Sequence, residues 1–391
     1  MKPSKNGKFS SRRIIFWVLN AVLVFLITVA FVRGLSLLRA ASVIYGFSPH
    51  RTPFIVRAYS KMFRHDVAVT DISIPGRHGS VAVRMVFPRD CPNAPMVVLV
   101  HGLAPQGNRD NLLNIYASHL AQIGLRVALP NITSEQHRLM RADALDQIVA
   151  AIRWSTAISR QRVALFGISF GGGLAIAAAD MPQYSGLLKM VFSDAGYNSI
   201  DRLGRYYIGD PVSAPDGRPY KETPPKSGPL LMAFQHLDEM IPEKDVSMFH
   251  ALILDRTLNR SDSPMPVTML DPAQSILYQD LRAVHSAGIR EKYRNLLDAH
   301  RAEMAAISPH NHMQGLEAPL YILHGSGDNS IPPEETEWTV KETPSQVKVH
   351  VLITPWMSHA VLLGHVSLKD KIRIGDFVCQ VLAAALKPSP L

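Results

Sequence analysis

Apolar and polar positions are spread unevenly along this chain. Residues 14–32, IIFWVLNAVLVFLITVAFV, form an apolar run of nineteen positions without a charge, with Asn20 and Thr28 as its polar members. A helix rising ~1.5 Å per residue needs about 20 such residues to cross a hydrocarbon core of about 30 Å, so the run predicts a membrane-spanning helix. A cleaved signal peptide is the rival reading. Its apolar region usually has about 7–15 residues and ends in a small-x-small site. This run is longer and Arg33 follows it directly, which favours an uncleaved signal anchor.

From residue 67 the pattern changes to short alternations. VAVTDISIP (67–75) and SVAVRMVFP (80–88) are β-branched and flank a Gly-containing turn, the pattern of a hairpin. PMVVLVH (95–101) is apolar throughout, as in a strand covered on both faces. Helical spacing over 109–123 leads to LRVALP (125–130), a helix near 138–158, and VALFG (163–167). A small-residue helix over 170–180 precedes LLKMVFSDAG (187–196). The rhythm returns with PLYILHG (319–325), a helix near 333–341, VKVHVLIT (347–354) and a last helix over about 366–386. A hairpin followed by repeated β-α units predicts an α/β fold: a mostly parallel central sheet with helices on both faces.

Residues 197–316 interrupt that rhythm with Gly and Pro turns, then helical stretches near 243–258 and 273–307. About 120 residues between two core strands far exceed a connection, so they read as a largely helical cap insertion. The expected division is therefore a basic tail (1–13), an anchor (14–32), a basic connector (33–66), a core (67–196 and 317–391) and a cap (197–316). Leaving and rejoining the sheet at its carboxyl edge, the cap is expected to roof the site there.

Composition changes this picture in one respect. The net charge of +9 suggests nucleic acid until it is mapped: residues 1–66 hold eleven Lys or Arg against Asp66 alone, leaving 67–391 at −1. No basic stripe remains to bind nucleic acid, and the basic excess flanks the apolar run instead. Five basic residues precede that run while only Arg33 and Arg39 follow closely, so the N-terminus is expected in the cytoplasm and the rest outside. Two cysteines, Cys91 and Cys379, exclude a disulfide scaffold or a Cys-rich zinc module, and leave their own pairing open.

The chemistry centres on Gly167-Ile168-Ser169-Phe170-Gly171, a G-x-S-x-G motif between a predicted strand and a predicted helix. At so sharp a turn only glycine two residues either side of the serine lets strand and helix approach, and the turn exposes the hydroxyl at the sheet's carboxyl edge. Here the chain resembles the α/β-hydrolase superfamily of serine hydrolases, esterase- or lipase-like, over roughly 67–196 and 317–387. The resemblance implies Ser169 as nucleophile and an oxyanion hole from the backbone N–H groups of Leu103, after His101-Gly102, and Phe170. It implies Asp328, in His324-Gly325-Ser326-Gly327-Asp328, as the acid, with Asp194 as the alternative. His359, past the last strand, is the implied base, with His365 as runner-up; His101 is expected to be a structural turn residue. The chain order Ser, Asp, His is the order this fold uses.

The sequence departs from many relatives at 131–137, which lacks a Gly-rich pattern, and in its oxyanion loop, which is not HGGG. The expected activity is that of a membrane-anchored serine hydrolase cleaving a small-molecule or lipid-like carboxylic ester, with no cofactor and no metal. A thioesterase, amidase or peptidase would use the same residues. An acyltransferase and a non-catalytic binding protein of the same fold are the other readings.

Overall fold

The helix that carries the apolar N-terminal run does not stop at residue 32: α1 (Ser11–Gly46) has 36 residues and is followed by α2 (Phe54–Phe63). The computed structural model describes residues 11–46, 52–136, 141–257, 269–284, 286–310, 312–359, 361–362 and 367–391. Most of the basic tail, and His365, lie outside the described residues. No proline interrupts Arg33–Gly46, and its apolar side chains find a partner: Ala40, Val43 and Ile44 are buried. The segment expected as a connector thus begins as helix packed on the domain. Arg33 also reaches Asp376 at 2.9 Å.

β1 (Val67–Gly76) and β2 (Gly79–Pro88) form the expected hairpin, with Gly79 at φ 126°, a conformation glycine adopts without penalty. The parallel part begins with β3 (Met96–Val100), all of it buried, and α3 (Asn111–Gln122), capped by the Asp110 carboxylate on the Leu113 N–H. There follow β4 (Arg126–Pro130), α4 (Thr133–Gln136), α5 (Asp143–Ser159), β5 (Val163–Ile168), α6 (Phe170–Asp180), α7 (Pro182–Ser185) and β6 (Leu188–Asp194). The insertion carries α8 (Ile200–Tyr207), α9 (Gly228–Phe234), α10 (Leu237–Met240), α11 (Glu243–Thr257), α12 (Pro272–Ala283), α13 (Ala287–Ala299) and α14 (Arg301–Ala306). The core closes with β7 (Leu320–Gly325), α15 (Glu334–Glu342), β8 (Val349–Thr354), the short ribbon β9 (Met357–Ser358) and β10 (Val361–Leu362), and α16 (Leu368–Leu386).

The eight-stranded sheet runs β1-β2-β4-β3-β5-β6-β7-β8, antiparallel through β1, β2 and β4 and parallel from β4 onward. This is the α/β-hydrolase fold, and its parallel strands deliver β5, β6 and β7 to one carboxyl edge. Apolar cores cover both faces. One packs α5, α6 and the insertion; the other packs α1, α3 and α16, so the last turns of α1 are part of the domain's own core.

Candidate active site

Ser169 stands between β5 and α6 with φ 57° and ψ −129°, a region costly for any residue bearing a Cβ. Its neighbours explain how the strain is held. A Cβ on Gly167 would lie 2.1 Å from the Gly171 carbonyl oxygen, and one on Gly171 would lie 2.5 Å from the His101 carbonyl oxygen. The Ser169 N–H donates to the Asp194 carbonyl at 2.7 Å, pinning the elbow to the end of β6.

The three side chains expected to work together do meet. Ser169 Oγ lies 2.7 Å from His359 Nε2, and His359 Nδ1 lies 2.8 Å from Asp328 Oδ2. His359 sits in the turn between β9 and β10, where β9 crosses the end of β7 so closely that a Cβ on Gly325 would meet the Met357 carbonyl at 2.3 Å. Asp328 is fully buried, and its Oδ1 accepts from the Ser330 and Ile331 N–H groups at 2.8 and 3.0 Å. Burial pushes its carboxyl up, but hydrogen bonds from His324 and His359 outweigh that and hold it well below the usual carboxylate range. Asp328 is therefore a carboxylate, and His359 Nδ1 carries the proton between them.

His324, which sequence reasoning noted only as part of the loop, supports this arrangement from behind. Its Nε2 lies 2.8 Å from the Ile331 carbonyl, which can only accept, so Nε2 carries the hydrogen; Nδ1 then accepts from the Thr336 hydroxyl at 2.6 Å. Nε2 also lies 3.5 Å from Asp328 Oδ2.

The loop after β3 approaches the elbow directly: a Cβ on Gly102 would be 3.0 Å from Ser169 Cβ and 3.3 Å from the Phe170 nitrogen. His101 fixes this loop. Its Nδ1–H donates to the Gly102 carbonyl at 2.7 Å and its Nε2 accepts from the Ile132 N–H at 3.0 Å. Burial pushes its pKa down to about 4, so it stays neutral and structural. Among the described residues no backbone acceptor takes the N–H of Leu103 or Phe170; Phe170 follows Ser169 in the chain, and Leu103 lines the same cavity as the serine.

A cavity of about 450 Å³ opens beside Ser169 and His359. Its walls come from the loop after β3, α3, α16, the ends of β5, β6 and β7, and from Val43 and Ile44 of α1. Among the described residues, none of the insertion lines it. On this side the wall where a roof from 197–316 was expected comes from α1 instead. The insertion docks elsewhere: the Tyr206 and Tyr207 hydroxyls donate to the Asn329 and Ser330 carbonyls at 3.0 and 2.7 Å. Arg202, the Tyr220 hydroxyl and the Asn198 and Ser199 N–H groups all converge on buried Glu335. It braces the acid-bearing loop instead of covering the serine.

Asp194, the alternative acid, does not contact His359; its side chain lines the cavity, and its Oδ1 has no hydrogen-bond partner. Burial, with the Asp328 charge adding to it and the two histidines opposing it, pushes its pKa up to about 7. Two groups of ligand-type side chains lie outside this cleft: His65, Asp90 and Cys91, and His236, Glu239 and His300. Cys91 and Cys379 are both free.

No protein-family model matches the chain, and no curated protein sequence is similar to it. Solved structures that resemble it include an acylaminoacyl peptidase from Pyrococcus horikoshii, at 15% identity and a TM-score of 0.48 over 85% of this chain and 44% of that one. Another acylaminoacyl peptidase, held in complex with a peptidyl chloromethyl ketone, matches at 16% identity and 0.46 over 82% of this chain and 42% of its own. A bacterial brefeldin A esterase, described as a homologue of human hormone-sensitive lipase, matches at 16% identity and 0.46, covering 88% and 85% of the two chains. The chain thus spans less than half the length of the two peptidases. The fold itself rests on the strand order and the elbow.

Proposed function

We propose that the protein is a membrane-anchored serine hydrolase that cleaves a carboxylic ester. The observation that carries this reading is the continuous relay from Ser169 Oγ to His359 to Asp328, with the serine held in a strained turn. His359 Nε2 takes the hydroxyl proton as Oγ attacks the carbonyl carbon. The buried Asp328 carboxylate keeps the other ring proton on Nδ1 and stabilises the imidazolium without becoming protonated. The tetrahedral oxyanion rests on the N–H groups of Leu103 and Phe170, a pair of donors commonly worth several kcal/mol in the transition state. The alcohol departs with the proton from Nε2, leaving an acyl-serine. Water, deprotonated by the same nitrogen, releases the acid and restores the hydroxyl.

The anchor reading draws support from α1. Among the described residues, Ile27–Gly46 is long and apolar enough to cross a membrane, but Ala40, Val43 and Ile44 are committed to the domain. A side chain cannot face both lipid and the core, so we place the crossing at 14–32. The charge bias across it puts the domain on the extracytoplasmic side.

A fluorophosphonate probe and a panel of acyl esters, thioesters and peptides test the activity. Labelling is expected at Ser169 and absent in Ser169→Ala, with ester turnover falling by about 10⁶-fold while the melting temperature holds. Undiminished labelling of the variant rules out Ser169 as nucleophile.

A further inference from the structure

We infer that the cavity beside Ser169 takes the acyl chain of a neutral bilayer lipid, which reaches the serine along the anchor helix. The inference rests on the hydrolase reading and adds the substrate class and its route. Val43 and Ile44 of α1 face Leu113 of α3 and Ile374 and Val378 of α16 across this space, and Ser169 and His359 lie on its lining. The helix that would cross the membrane therefore also walls the site. From Val32, the end of the apolar run, to Val43 is eleven residues, or about 17 Å along a helix. That is a reach suited to a long acyl chain with its ester at Ser169 and its tail towards the bilayer.

The surface around α1 has the character of a membrane-contacting face. On α2, which packs against α1, Phe54, Ile55, Met62 and Phe63 are exposed alongside Arg57, Lys61 and Arg64, while buried Val56 seats the helix. Large apolar side chains next to basic ones suit an interface of acyl chains and anionic headgroups. Val29, Phe31 and Val32 of α1 are likewise exposed.

The lining also selects the headgroup. Among the described residues it contains no Lys or Arg, and its carboxyl side chains are Asp110 and Asp194. A phosphate beside the scissile ester would find no cation there and would face acids instead, so an uncharged acylglycerol-type ester is the better fit.

The test uses the full chain in lipid nanodiscs and a long-chain alkyl fluorophosphonate with a diazirine at its far end. After labelling, photolysis and peptide mapping, cross-links are expected in Arg39–Gly46, in α3 and in Ile374–Val378. Labelled Ser169 with cross-links confined to 197–316 overturns the acyl route while the hydrolase reading stands. No labelling of Ser169 removes the hydrolase reading and the inference with it. In vesicles, a neutral monoacylglycerol is expected to be turned over at least about tenfold faster than a lysophosphatidic acid of equal chain length, since a buried unpaired charge costs more than 1.4 kcal/mol. Equal or reversed rates overturn the headgroup assignment.

Discussion

Replacing Asp328 by Asn separates the charge and tautomer control of the relay from its shape. The amide can keep its oxygen on the Ser330 and Ile331 N–H groups, which now hold Oδ1 at 2.8 and 3.0 Å. Its NH₂ then points at His359 Nδ1, where the carboxylate oxygen stands at 2.8 Å. Two donors cannot share that contact. The ring must shift its proton to Nε2, the nitrogen facing Ser169 Oγ at 2.7 Å, and it can no longer accept the serine proton. Flipping the amide restores the tautomer but sets its NH₂ against two backbone donors. At about 1–3 kcal/mol for each unsatisfied buried group, that alternative is disfavoured.

A wrong tautomer in a Ser-His-Asp relay typically costs about 10⁴-fold in kcat, or roughly 5.5 kcal/mol. Ester turnover and fluorophosphonate labelling of Asp328→Asn should fall together by that order. Stability should respond with a definite sign. The folded carboxyl titrates below its unfolded value, so its contribution is present above the unfolded pKa and is lost as pH falls through the folded one. Wild type should therefore be the more stable at neutral pH, with the gap to the variant closing as pH drops below about 4. Turnover within about tenfold of wild type, in a variant that melts normally, would refute the tautomer argument and return Asp194 to consideration as the acid.

Two further outcomes follow from the same geometry. Gly171→Ala should destabilise the fold by about 1–3 kcal/mol, measured by urea titration, because its Cβ would stand 2.5 Å from the His101 carbonyl and 2.6 Å from that of Val100, both backbone atoms. Asp194→Asn should become progressively more stable than wild type as pH rises from about 4 to 7, by on the order of a few kcal/mol at the upper end. The wild-type carboxyl, pushed up to about 7, keeps its proton in the folded state and releases it on unfolding, so over this range ionisation favours the unfolded chain of wild type alone; parallel pH-stability curves would sink that reading.

The sheet was legible because its signals are local. β3 and β7 read as continuous apolar runs and prove buried along their whole length, and the hairpin announced itself by alternation about Gly79. The elbow was legible for a similar reason in part: Gly167 is demanded by the Gly171 carbonyl within the motif, while Gly171 is demanded by the Val100 and His101 carbonyls at the end of β3. The partners of Ser169 are less local. Their placement followed from chain order and resemblance, and the hydrogen bonds joining them span 190 and 31 residues. Nothing in the sequence marks His324 as the residue behind Asp328, because a buried histidine satisfied by a carbonyl and a hydroxyl looks like any other. The insertion misled for a topological reason. It leaves β6 at the catalytic edge but, because β7 runs parallel to β6, re-enters the sheet at the opposite edge, and Tyr206, Tyr207 and Arg202 tie it to the Asp328 loop and α15.

α1 shows why hydropathy alone does not separate a lipid-facing stretch of helix from a core-facing one. A window of about twenty residues scores lipid-facing and core-facing side chains alike, since both are apolar. What distinguishes them here is the change along α1 from exposed Phe31 and Val32 to buried Ala40, Val43 and Ile44, with exposed Arg33 between them paired to Asp376. A flexible tether would leave the domain free to tumble at the membrane and its cleft free to face solvent. A helix whose last turns belong to the apolar core leaves no such freedom at the domain end, because undocking it would expose Val43 and Ile44 at about 1.5–3 kcal/mol each. On the proposed reading of α1 as a membrane span, the orientation of the cleft relative to that span is then a property of the fold, with Val43 and Ile44 on the wall of the cavity that holds Ser169.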